Sequence, residues 1–170
     1  MEEQVVLISE NDEVLGLMDK MQAHENCLLH RAFSVFLFNE KGEVLLQKRA
    51  AEKYHSPQQW TNAVCSHPRE GETYLEAAQR RLKEELGIEN VELSPKFHFI
   101  YKADVGGNLW EHELDHVFTG NYEGEFTLNR EEVSQVRYLS MEALDEEMEK
   151  NPENFTEWFK IILGEYKDRL

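Results

Sequence analysis

The sequence predicts one mixed α/β domain, of the α+β kind, spanning residues 1–170. Three observations predict it. Runs rich in β-formers, clearest at residues 31–38 with Phe33, Val35, Phe36 and Phe38, are separated by turn signals. A central segment, residues 73–86, carries helix start and stop signals. The last segment repeats apolar residues at helical spacing.

In chain order, residues 4–8 read as a strand and Asn11, Asp12 and Glu13 as a turn. Residues 31–38 and 43–49 read as a hairpin closed by the turn Asn39 to Gly42. Residues 53–71 hold Pro57, Pro68, His55, His67 and Gly71 with little periodicity. They predict a long irregular loop with a short strand near Thr61–Val64, and loops of that length are usually functional. Thr73 is the N-cap of the central helix, Glu76 completes a capping box and Gly87 caps its C-terminus. Strands follow at about 91–102 and 111–119, around Gly106, Gly107 and Asn108. Another at about 134–140 leads into an acidic helix near 141–149. Pro152 opens a last helix with Phe155, Trp158, Phe159, Ile162 and Tyr166 on one face.

Apolar residues at 41% and aromatics at 11% argue against disorder. A chain this long buries roughly 68–70% of its unfolded surface and needs no disulfide staple. Cys27 and Cys65 read as reduced thiols. No apolar run approaches the ~20 residues of a membrane span. No basic stretch followed by an apolar run opens the chain, so the expected compartment is the cytoplasm. The formal charge is −16, which disfavours a general nucleic-acid binder. It is uneven: residues 20–83 hold ten Lys/Arg against seven Asp/Glu inside an otherwise acidic chain. Such a block can seat a small anion such as a phosphate. Nothing in the sequence specifies an oligomeric state.

The central helix ends with Arg80, Arg81, Glu84 and Glu85. Glutamates at a helix C-terminus oppose its dipole, so a nearby divalent cation is one explanation. Local pairs at i,i+4 are the other. His24, His30, His67, Glu111 and Glu113 make a set of three imidazoles and two carboxylates. Such donors suit Zn, Mn, Fe or Mg rather than a thiolate-loving metal. Glu111 and Glu113 share one strand face, and His112 points to the other. Nothing singles out His98 or His116, and five unrelated polar residues is the alternative reading of the set.

The stretch from Ser66 to Ile88 resembles the Nudix box, a loop–helix–loop motif that holds magnesium against a diphosphate. It matches at Glu72, Arg80, Leu82, Glu84, Glu85, Gly87 and Ile88. It departs at Ser66, where the box opens with Gly, and at Arg81, where the hydrolases carry a metal-binding Glu. The departures resemble the type I isopentenyl-diphosphate isomerases. So do Asp19-Lys20 with Ala23-His24, His30 through Ser34, Trp60-Thr61-Asn62 with Cys65, His67 and Pro68, the pair Glu111 and Glu113, and the final helix with Trp158. The resemblance spans roughly residues 4–165.

The resemblance implies a Nudix-type mixed β-sheet sandwiched between helices, and an isomerase of small prenyl diphosphates serving isoprenoid synthesis. It implies Cys65 and Glu113 as the two proton-transfer groups, with Tyr101 hydrogen-bonded to Glu113 and Trp158 as the wall facing a carbocation. It implies Lys20, Arg49, Lys53 and Arg81 on the diphosphate, with Lys48 and Arg69 as further cations nearby. The metal ligands would be His24, His30, His67, Glu111 and Glu113 for Mn, Zn or Mg. A second ion, Mg, would join the diphosphate to Glu85. The rival readings are a Nudix diphosphate hydrolase, which Arg81 disfavours, and a non-catalytic diphosphate- or metal-binding module, which leaves the acid/base pair unexplained.

Overall fold

The computed structural model describes residues 3–170. The chain runs β1 (Gln4–Ile8), β2 (Val14–Asp19), α1 (Lys20–Glu25), β3 (His30–Phe38), β4 (Val44–Arg49), β5 (Trp60–Thr61), β6 (Val64–Ser66), α2 (Tyr74–Leu86), β7 (Ser94–Gly106), β8 (Leu109–Asn121), β9 (Val133–Leu139), α3 (Met141–Lys150) and α4 (Glu157–Glu165). The strands belong to one sheet. It is mixed because β3 and β8 pair in parallel, from His30 opposite Glu113 to Phe38 opposite Asn121.

Strand alternation places helices on both faces. Along β3, Phe33, Val35 and Leu37 pack with Ala77, Ala78, Leu82 and Leu86 of α2. Phe36 points the other way, into a cluster with Leu144 of α3 and Trp158, Phe159 and Ile162 of α4. In β4, Leu45 joins the first cluster while Val44 and Leu46 join the second. The expected sheet between helices is therefore present.

The central helix follows its capping signals. Thr73 Oγ1 accepts from Glu76 N–H at 3.0 Å, and the Glu76 carboxylate returns the bond to Thr73 N–H. Gly87 closes it at φ +69°, and a Cβ there would lie 2.7 Å from Thr127 Cβ. Gly87→Ala should therefore destabilise the protein, by more than the roughly 0.4–1 kcal/mol that such a change gains where the backbone is compatible. Denaturant unfolding, with its midpoint falling at unchanged slope, measures that loss.

Two local expectations are corrected, and one gap is filled. The turn Asn39 to Gly42 forms, with Gly42 N–H on Asn39 O at 3.0 Å. The predicted hairpin does not extend from it: β3 and β4 pair only at Phe38 and Val44, and β4 then runs beside β9. The last helix begins at Glu157, not at Pro152, because Pro152 to Asn154 form a separate single turn and Phe155 is extended. Residues 14–25, unassigned in the sequence, hold β2 and α1.

Candidate active site and metal centre

The register of β3 and β8 sets His30 directly beside Glu113. Asp19 caps α1 by accepting from Gln22 N–H at 3.1 Å, and α1 packs on β8 so that His24 meets Glu111. The loop after β6 brings in His67. His24 Nε2 lies 3.2 Å from Glu111 Oε1, His30 Nε2 2.9 Å from Glu113 Oε2, and His67 Nε2 2.7 Å from the same oxygen. All five residues are buried, and their ligand atoms lie within 4.8 Å of one another.

The donor chemistry fits a divalent cation. His24 Nδ1 sits 2.7 Å from Lys20 O, and His30 Nδ1 2.8 Å from Leu28 O. Those carbonyls accept, so each neutral ring carries its proton on Nδ1 and turns a bare Nε2 inward. Each bare nitrogen then faces a carboxylate oxygen, lone pair against lone pair, which is stable only with positive charge between them. Glu111 Oε2 is also buried without a hydrogen-bond partner. The histidines divide in their response: burial lowers the His67 pKa despite the Glu113 hydrogen bond. Burial opposes a charged His24, but the Glu111 hydrogen bond and the charges of Glu111 and Glu113 outweigh it and raise its pKa.

Beside this cluster lies a narrow pocket, lined among others by Cys65, Glu113, Asp115, His55, Arg49 and Trp158. Two separate hydrogen-bond systems hold the proton-transfer candidates. The Tyr101 hydroxyl donates to Glu113 Oε1 at 2.5 Å. Burial and the Glu113 charge push the Tyr101 pKa well above the phenolic value, so the hydroxyl stays a donor. The Cys65 thiol donates to Asn62 Oδ1 at 2.9 Å and accepts the Trp158 indole N–H at 2.9 Å. Burial and the Asp115 charge push its pKa up to about 12, so the thiol rests protonated.

A second narrow lobe adjoins the first and shares Arg49, Tyr54, Cys65, Ser66 and His67 with it. All four sequence-predicted cations, Lys20, Arg49, Lys53 and Arg81, line it, as does Glu85. Arg81 Nε donates to Glu85 Oε2 at 3.1 Å. Burial raises the Glu85 pKa against the pull of Arg81. Arg49 donates to His55 O at 3.1 Å, and its Nε is buried without a partner. Lys48 and Arg69 line neither lobe.

Trp158 is 3% exposed within the α4 cluster, as its place on the apolar stripe requires. The Arg49 guanidinium lies 5.3 Å from its ring centroid, and His55 meets the ring edge-on at 5.6 Å. Several pocket residues had no individual signal in the sequence. His55 Nε2 stands 2.6 Å from Glu111 Oε1. Asp115 accepts Ser34 Oγ–H at 2.7 Å, and spacing could have found it, because it continues the face of Glu111 and Glu113. Asn62 donates to Val35 O and Val64 O at 2.9 and 3.0 Å, which fixes the amide that receives the thiol proton. His98 and His116 stack at 4.9 Å and line neither lobe.

The NUDIX domain family matches residues 28–159 of this chain. Isopentenyl-diphosphate Delta-isomerase 2 of Aromatoleum aromaticum is 43% identical over 163 residues, covering 96% of this chain and 86% of that protein. Isopentenyl-diphosphate Delta-isomerase of Serratia proteamaculans is 44% identical over 163 residues, covering 96% and 90%. The crystal structure of a Deinococcus radiodurans protein superposes with a TM-score of 0.78 over 96% of this chain and 99% of that one. At 22% identity it speaks to the fold alone.

Proposed function

The chain belongs to the NUDIX domain family, in its isopentenyl-diphosphate Delta-isomerase branch, and on that premise we propose how its pocket moves a double bond. It is an isomerase that interconverts isopentenyl and dimethylallyl diphosphate. A proton added to the terminal methylene leaves a tertiary cationic centre, and loss of a proton from the carbon on the diphosphate side forms the new double bond. The proton gained balances the proton lost, so the reaction needs two acid/base groups and no redox partner.

Cys65 and Glu113 serve as those groups, one on each face of the flat alkene. The observation that carries this is their meeting in one buried pocket through independent hydrogen-bond systems: Cys65 with Asn62 and Trp158, Glu113 with Tyr101 and the histidines. Tyr101 steadies the Glu113 carboxylate by donating its hydroxyl hydrogen bond. The Trp158 ring excludes water and offers π-density to the cationic carbon, worth roughly 0.5–2 kcal/mol when desolvated. Its N–H also aims the Cys65 sulfur.

His24, His30, His67, Glu111 and Glu113 hold a divalent ion, Mn, Zn or Mg. When bound, it would supply positive charge that holds the Glu113 carboxylate in place. Lys20, Arg49, Lys53 and Arg81 seat the diphosphate, and Glu85 holds the Mg that accompanies it. Arg81 stands where the hydrolases of the family carry a ligand, so the site binds the diphosphate without a protein group to drive its cleavage. We place this chemistry in the cytoplasm, and no helix among the described residues is long and apolar enough to cross a membrane.

Incubation with isopentenyl diphosphate and Mg in heavy water tests the reading. The expected products are dimethylallyl diphosphate and substrate carrying deuterium at the carbons flanking the moving double bond. Release of phosphate or diphosphate in place of isomer overturns it in favour of a hydrolase.

A further inference from the structure

The diphosphate lobe is less positive than its four cations suggest. Glu3 pairs with Lys20 at 2.7 Å, and Glu85 pairs with Arg81 at 3.1 Å. Glu132 takes two partners: it is ion-paired with Lys53, and Arg81 Nη2 lies 3.4 Å from its Oε2. Four cations therefore face three carboxylates across this lobe. Arg49 alone among the four has no carboxylate within ion-pair distance among the described residues, and its Nε is a buried donor without an acceptor. One surplus positive charge does not match a diphosphate. It matches a diphosphate already carrying a divalent cation.

Glu132 is built to act in this way. Its backbone is fastened on both sides, with its N–H on Asn129 O at 3.0 Å and its carbonyl receiving Ala50 N–H at 3.0 Å. Asn129 N–H is in turn bonded to Glu85 O at 3.0 Å. The carboxylate thus stands at a fixed point between the loop that carries Lys53 and the helix that carries Arg81. On the far side of Lys53, the Tyr54 ring lies 5.5 Å from its ammonium and 4.4 Å from that of Lys20.

We propose that Glu132 is a positioning and specificity residue of the diphosphate lobe: it aims Lys53 and Arg81 at the phosphates and, by cancelling positive charge, makes diphosphate binding depend on an accompanying divalent cation. The proposal rests on reading this lobe as the diphosphate site, and the experiment separates the two.

Calorimetric titration with inorganic pyrophosphate, with and without Mg, reads the ratio of the two affinities. In the unaltered protein Mg should tighten binding strongly. Glu132→Gln takes the ion-pair partner from Lys53 and one of three carboxylates from Arg81, which keeps Glu84 and Glu85, so pyrophosphate alone should bind roughly tenfold tighter or more and the Mg-dependent gain should shrink. Glu132→Asp keeps the charge but shortens the reach, so the ratio should persist while binding of Mg-pyrophosphate weakens. An unchanged ratio in Glu132→Gln overturns the charge-setting role, including the case where both affinities fall together through damage to the fold. Full affinity in Glu132→Asp overturns the positioning role. Arg49→Gln tests the underlying site: if it leaves pyrophosphate binding intact, the lobe is not the diphosphate site. If it weakens binding while Glu132→Gln leaves the ratio unmoved, the site stands and Glu132 has no part in it.

Discussion

Alanine at Cys65 is expected to slow the isomerisation in both directions by roughly 10²–10⁴-fold or more, the usual worth of a positioned acid or base. The two rates should fall by the same factor, because the acid of one direction is the base of the other and an enzyme cannot move the equilibrium. The variant should fold, but not without cost. Trp158 Nε1–H loses its 2.9 Å acceptor, while Asn62 Oδ1 keeps the Thr61 hydroxyl at 2.9 Å, and an unsatisfied buried polar group costs about 1–3 kcal/mol. Cys65→Ser controls for that loss, since a hydroxyl can keep both bonds yet transfers protons with a different acidity. It too should be strongly impaired. Rates measured from each substrate, together with the equilibrium ratio, check the prediction. Near-normal turnover in Cys65→Ala would make the thiol a bystander and move the burden to Tyr101, whose hydroxyl already touches Glu113.

Local chemistry was legible in the sequence where the physics is local. The capping box at Thr73 and Glu76 and the left-handed Gly87 are determined by residues a few positions apart, and each appears as expected. The hairpin at Asn39 to Gly42 shows the boundary of such reasoning. Its turn is a four-residue matter and forms, but the partner of β4 is β9, more than eighty residues away, and no turn signal names it. The site divides the same way. Glu111 and Glu113 could be put on one face by period alone, and the burial of that face carried Asp115 with them. The hydrogen bond from Trp158 to Cys65 joins residues 93 apart, and the two cationic partners of Glu132 lie on a loop and a helix remote in sequence. Such contacts exist only once the parallel pairing of β3 and β8 has folded the loops over the sheet. Resemblance to a family could point to residue types at those places, Asn62 among them, whereas His55 and Glu132, which tune them, carry no spacing signal.

Stripping the metal should destabilise the protein as well as silence it. Without a cation, Glu111 and Glu113 are two buried carboxylates on one strand face, and Glu111 Oε2 has no partner. Two buried carboxylates partnered only by histidines and the Tyr101 hydroxyl are still costly to bury, so the empty site pushes against the native state. An ion bound at a concentration 100 times its Kd stabilises the folded state by about 2.7 kcal/mol. For a chain of this size each kcal/mol moves Tm by roughly 2–4 °C, so a chelator should lower Tm by roughly 5–10 °C. His67→Asn should lower bound metal and activity together and blunt the response of Tm to chelator, because one of the five ligands is gone. Glu113→Gln should do the same and add the loss of a proton-transfer group, so its activity should fall further than its metal content explains. His112→Asn is the control: that ring points to the other face of β8, with Nδ1 on Cys27 O at 3.1 Å, and it should leave metal content unchanged. Elemental analysis of the purified variants beside thermal unfolding with and without chelator decides the matter. A fully active protein with no bound metal, or a Tm indifferent to chelator in a metal-loaded sample, would remove the metal from these five residues and leave their convergence to be explained by protons alone.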